Sequence, residues 1–223
     1  MARFRLRFPL RDIPRWAAAS GDPDDPELAA IAARARRSGY LRKRDLLQLA
    51  RWKTPRSRPR VEANAASTVR ALTRKAFASK DERARIELLT RLAGVGWPTA
   101  SVLLHFCHAD PYPILDVRAL WSFGIERPPA YRFEFWWRYT LACRRAAARA
   151  GCSMRTLDRA AWQFSVARQP ATARRTPSRR RLFRSGIRRP RISAAEGRRA
   201  SSGATGNRSR RDRGSSAPPT RGR

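Results

Sequence analysis

The chain is poor in acid, lysine and cysteine, and it has no long apolar run. Of its 223 residues only 17 are Asp or Glu, against 50 Lys plus Arg, which gives a formal net charge of +33. That imbalance argues against a neutral metabolic enzyme and for a polyanionic partner, nucleic acid ahead of an anionic membrane. Only Lys43, Lys53, Lys75 and Lys80 are lysines. An arginine excess of this kind also fits a GC-rich coding sequence, so part of the charge reflects codon bias under that alternative. The three cysteines, Cys107, Cys143 and Cys152, are odd in number and include no CxxC or CxxH pair. This argues against a disulfide framework or a zinc ribbon and suits a reducing cytoplasm. No apolar run approaches the ~20 residues that span a bilayer, so no membrane association is expected. The N-terminal MARFRLRFPLRDIPRW is basic but lacks the continuous apolar stretch of a secretory signal.

Composition divides the chain into a basic arm (residues 1–24), a domain (25–167) and a tail (168–223). The tail holds 18 arginines against Glu196 and Asp212, with plentiful Ser, Gly and Pro. Too little apolar surface is available there to offset chain entropy, which predicts disorder. Such a tail would clamp phosphates without sequence preference; alternatively it is a dispensable extension or a shifted reading frame.

Within the domain the periodicity is helical and strand signals are scarce. Asp25 and Pro26 start a helix carrying Leu28, Ile31 and Ala35 up to Gly39. A second helix runs from Lys43 to Trp52 and stops at Pro55, before a basic loop. Val61, Ala65, Val69, Leu72 and Ala76 share one face of a third. Ser79 and Glu82 read as a capping box for a fourth, with Ile86, Leu89 and Leu92. Helices from Pro98 to Cys107, from Phe133 to near Gly151, and from Met154 to Phe164 follow. The expected fold is all-α, a compact bundle of about eight helices.

The stretch with chemical content is LLTRLAGVGWPTASVLLHFCHADPYPILDVRALWSFG, from Leu88 to Gly124. Gly94 and Gly96 let the backbone turn sharply and approach another surface, and Val95 can plug back between the helices. Pro98 opens the next helix, whose first amides form an anion site. Twenty residues after Gly96 comes Asp116, in the stiff Pro111–Asp116 connection. At a helix start it is a cap; at a cleft it is a carboxylate that stabilises a cation or activates water.

Leu92 to Asp116 resembles the helix–hairpin–helix and Gly/Pro-rich loop with aspartate of the base-excision DNA glycosylases. YPILD is similar to the aspartate segment of their adenine-specific members. The helical context from Arg44 to Phe164 is compatible. The resemblance implies that Gly94, Val95 and Gly96 hold a DNA phosphate through backbone amides, that Thr99 begins the second hairpin helix, and that Asp116 is catalytic. It implies double-stranded DNA as partner, a monomer, and a cytoplasmic, nucleoid-associated setting. Members that also cut the strand carry a lysine where this chain has Pro98, so a monofunctional enzyme is implied. Three scattered cysteines cannot supply the family's iron–sulfur site, so no cofactor is expected. A hairpin protein that binds DNA without turnover is the alternative, and a packing protein driven by the arginine tail is a third.

Other candidates have plainer readings. His105 and His108 stand at i, i+3, as in a metal pair, but no second ligand pair exists, and no metal is expected. Tyr131, Phe133, Phe135, Trp136, Trp137 and Tyr139 could stack bases, yet their helical spacing favours core packing. Trp121 and Phe123 read as core under the helix that follows Asp116. Lys53 and Arg56 are candidate DNA contacts and could face Asp116 across a cleft, with Lys53 an amine nucleophile in the extreme case. The alternative is a solvated basic loop.

Overall fold

The computed structural model describes residues 4–21 and 25–170. Among these there are ten α-helices, two short 3-10 turns and no strand. The all-α expectation is met, with more helices than the periodicity suggested. The expected tail lies outside the described residues from residue 171 onward.

The first additional helix comes from the N-terminal segment. Residues 4–19 are part of the domain rather than a separate arm. The Arg5 and Arg7 N–H groups donate to the Phe123 and Ser122 carbonyls at 3.0 and 2.9 Å. Helix α1 (Ile13–Ala18) then packs on the last helix. Ile13 is fully buried, and Phe8 and Trp16 both meet Phe164, at ring-centroid distances of 4.7 and 5.3 Å.

The second arises because the expected third helix is broken. α2 (Pro26–Ser38) follows its signals: Asp25 accepts the Glu27 N–H at 2.8 Å, Pro26 opens the helix, and Gly39 closes it with φ 73°. α3 (Lys43–Lys53) ends before Pro55. The supposed basic loop is a 3-10 turn (Pro55–Ser57) leading into α4 (Arg58–Glu62). Asn64 separates α4 from α5 (Ala66–Ala78), because its side chain bonds the Val61 carbonyl at 2.8 Å and so competes with helix continuation. α6 (Glu82–Thr90) is capped by Asp81, not by a Ser79–Glu82 box. Asp81 Oδ1 accepts the Arg83 N–H at 2.8 Å, and Glu82 instead accepts the Tyr112 hydroxyl at 2.6 Å.

α7 (Trp97–Cys107) is the central helix. Seven of its residues, Thr99 to Leu104 and Cys107, are buried, as befits a helix apolar on every side. It packs on α2, α3 and α6. α8 (Val117–Ser122), α9 (Phe133–Arg149) and α10 (Met154–Arg168) complete the domain, with α10 against α1, α8 and α9. Trp121 and Phe123 are core, as are Trp136 and Tyr139, whereas Trp137 is half-buried beneath the Arg144 guanidinium. No helix among the described residues is long and apolar enough to cross a membrane.

Candidate functional site

The hairpin turn between α6 and α7 is built around Gly94. Its φ is +76°, and a Cβ there would stand 2.8 Å from Val61 Cγ2 and 2.9 Å from the Val61 backbone nitrogen. Glycine is therefore demanded twice, by conformation and by the approach of α4. Gly96 differs: it is extended, exposed, and its nearest potential neighbour is Pro98 Cδ at 3.9 Å. Asn64 ties the turn to α4 by bonding both polar groups of the Ala93 backbone.

The residues expected at a phosphate are not equally placed. Val95 is buried and its N–H donates to the Leu92 carbonyl at 3.0 Å, so that amide is already engaged. Thr99 is only 4% exposed, so little of it is open to a ligand. Its N–H still belongs to the first turn of α7, where helix amides lack intrahelical acceptors.

Asp116 returns to the same end of α7. The Ser101 hydroxyl donates to the Pro98 carbonyl and accepts the Leu115 N–H, both at 2.8 Å, which fastens the Pro-rich connection to the first turns of that helix. Asp116 combines both roles anticipated for it. Oδ1 caps α8 by accepting the Arg118 N–H at 2.9 Å, and Oδ2 accepts from Lys53 Nζ at 2.7 Å. Burial on its own would push this carboxyl up, but the Lys53 ammonium, the Arg118 amide and the Arg118 guanidinium together hold it below its ordinary 3.8.

The pair forms one wall of a cavity of about 440 Å³, within the range of small-molecule sites. Trp52 and Lys53 come from the end of α3, Ile114 and Asp116 from the connection, and Asp158, Arg159 and Trp162 from α10. Ser20 and Gly21, after α1, complete the lining. Trp162 is an exposed large apolar side chain, with the Arg118 guanidinium 5.6 Å from its ring.

Lys53 is thus not a solvated loop residue: its side chain is 13% exposed. Arg56 is exposed on the Pro55–Ser57 turn. His105 is partly buried, its Nδ1 2.7 Å from the Tyr112 carbonyl oxygen, and desolvation lowers its pKa to about 4. His108 Nδ1 accepts the Asp110 N–H at 2.9 Å.

Asp158 escaped the sequence reading. Its side chain is 10% exposed, with an Arg155 nitrogen 3.6 Å away. Burial drives its carboxyl up from 3.8 to about 7, against the opposing pull of Arg155, Lys53 and the Ile114 amide and with the help of Asp116. The available signal was positional: Met154, Leu157, Asp158 and Ala161 follow the i, i+3, i+4, i+7 spacing of a buried stripe, and an acid at such a position needs a reason.

In comparisons with known proteins, no family model, no curated protein and no solved structure matches this chain.

Proposed function

We propose that the domain is a monofunctional DNA N-glycosylase, a base-excision enzyme that hydrolyses the N-glycosidic bond of a damaged or mismatched base in double-stranded DNA. One observation carries the reading: the Asp116 carboxylate, held ionised beside Lys53, lines a cavity between the end of α3 and α10. Cleavage of this bond builds positive charge on the sugar, and a fixed carboxylate in a partly desolvated site lowers that barrier. The exposed turn at Gly96 and the first amides of α7 would hold a phosphate. A base extruded from the stack would enter the cavity between Trp52 and Trp162. Pro98 occupies the hairpin position of the lyase lysine, and the Lys53 Nζ is engaged with Asp116 at 2.7 Å.

The test is base release from duplexes carrying uracil, alkylated, oxidised and mispaired bases, with alkali to reveal abasic sites. The full chain should release at least one base without cutting the strand before alkali. Asp116→Asn should lower the rate about 100-fold or more while binding persists. Binding without release on any duplex would instead assign a non-catalytic hairpin module.

A further inference from the structure

The cavity holds a second carboxyl group, Asp158, which also has a cation and a backbone donor (Arg155 and the Ile114 amide) but is less exposed than Asp116, 10% against 24%. Asp116 has its own cation and a backbone donor. Asp158 lies deeper, is nearly buried, and faces Lys53 from α3, Asp116 from the connection before α8, Tyr139 and Cys143 from α9, and Arg155 on its own helix. Tyr139 and Cys143 are both held in their neutral forms by burial. Arg155 is shared, because its guanidinium also lies 5.7 Å from the Trp52 ring and 5.4 Å from that of Phe106. Two acids in one cavity that titrate far apart are an acid and a base ready for different tasks.

We propose that Asp158 is the proton donor of the cavity, giving its carboxyl proton to the departing base while the Asp116 carboxylate faces the sugar. This rests on the glycosylase reading and adds a residue to it. The bond between C1′ and the base nitrogen breaks, and its electron pair goes to the base. The Asp158 proton joins the base, which leaves neutral. The cationic C1′ is faced by Asp116, then bonded by the oxygen of a water molecule. The spare proton of that water returns to the Asp158 carboxylate. One water is consumed, base and abasic sugar leave, and both aspartates regain their starting states. Asp158 keeps its proton up to about pH 7, so the donor is available near neutrality.

The experiment is single-turnover release by the full chain and by Asp158→Asn across pH 5 to 9. One set of duplexes carries a neutral base: uracil, hypoxanthine or mispaired adenine. Another carries 7-methylguanine, whose ring already bears the positive charge. Asp158→Asn should slow the neutral base about 100-fold, leave 7-methylguanine nearly unchanged, and abolish the fall in wild-type rate above about pH 7. Equal loss on both substrates, no loss on either, or wild-type release of 7-methylguanine alone overturns the assignment while the glycosylase reading stands. No release by the wild type from any duplex defeats that reading, and the assignment with it. If Asp158→Asn fails to fold, carboxyl-carbon NMR titration of the wild type decides. An Asp158 inflection near 7 supports the donor, and an inflection at an ordinary carboxylate value overturns it.

Discussion

The side chain of Asn64 holds the backbone of Ala93 by both of its polar groups. Oδ1 accepts the Ala93 N–H and Nδ2 donates to the Ala93 carbonyl, each at 2.9 Å. A residue between two helices thus fixes the first position of the hairpin turn. Asn64→Ala removes both bonds and those to the Arg60 and Val61 carbonyls. We expect it to cost about 1–3 kcal/mol in urea unfolding and to weaken duplex binding, because the turn loses its anchor. Unchanged stability would mean that α4 does not position the hairpin.

Gly94 and Gly96 are separable by substitution. Gly94→Ala meets a positive φ and the Val61 backbone nitrogen, which cannot rotate away. The left-handed conformation alone costs about 1–2 kcal/mol, and the contact adds to it. Gly96→Ala meets neither obstacle and should stay within about 1 kcal/mol of wild type. Its duplex affinity should nevertheless fall, since a methyl group would crowd the exposed turn. Equal thermal stability of the two variants would remove the packing account of Gly94.

What could be read in the sequence was what is local. The Asp25–Pro26 start and the Gly39 stop of α2 lie within one window, as do the Gly94–Gly96 turn and the Asp116 connection. Phe8 and Trp16 read as an arm because arginines surround them and their partner, Phe164, lies at the far end of the domain. Asn64 interrupts an otherwise continuous apolar stripe through bonds to a turn that no helical period reveals. Lys53 stood in a basic run, and only the fold brings it to Asp116. Asp158 had the right spacing, but its significance depends on neighbours from three other parts of the chain.

Removing Lys53 should reverse the direction in which Asp116 is perturbed. With Lys53 present its carboxyl lies below 3.8, so the pair adds stability above the unfolded value and loses it as pH falls through the folded one. In Lys53→Met the burial that opposes ionisation loses its main counterweight, and the carboxyl rises. Stability should then decline as pH climbs through the ordinary carboxylate range, and the acid limb of base release should move to higher pH. The loss at neutral pH should be roughly 1–3 kcal/mol, less than for a fully buried pair because Asp116 retains solvent contact. Chemical unfolding at pH 4 and pH 7 checks the sign: a variant more destabilised at pH 4 than at pH 7 would contradict the pairing.

Asp158 should act on stability in the opposite sense. Its folded-state value of about 7 exceeds the ordinary 3.8, so between those values the folded state binds the extra proton. Stability contributed by the protonated group is complete below about pH 4, falls as pH rises toward 7, and levels off once both states are ionised. Raising a carboxyl this far costs on the order of 4 kcal/mol above neutrality if nothing relaxes. Asparagine keeps the shape of the neutral acid and never ionises. Asp158→Asn should therefore be close to wild type at pH 4 and more stable than wild type at pH 8, the mark of a group whose ionisation the fold resists. Urea unfolding at the two pH values decides it: a variant less stable than wild type at pH 8 would make the Arg155–Asp158 contact a stabilising ion pair and leave no proton there to give.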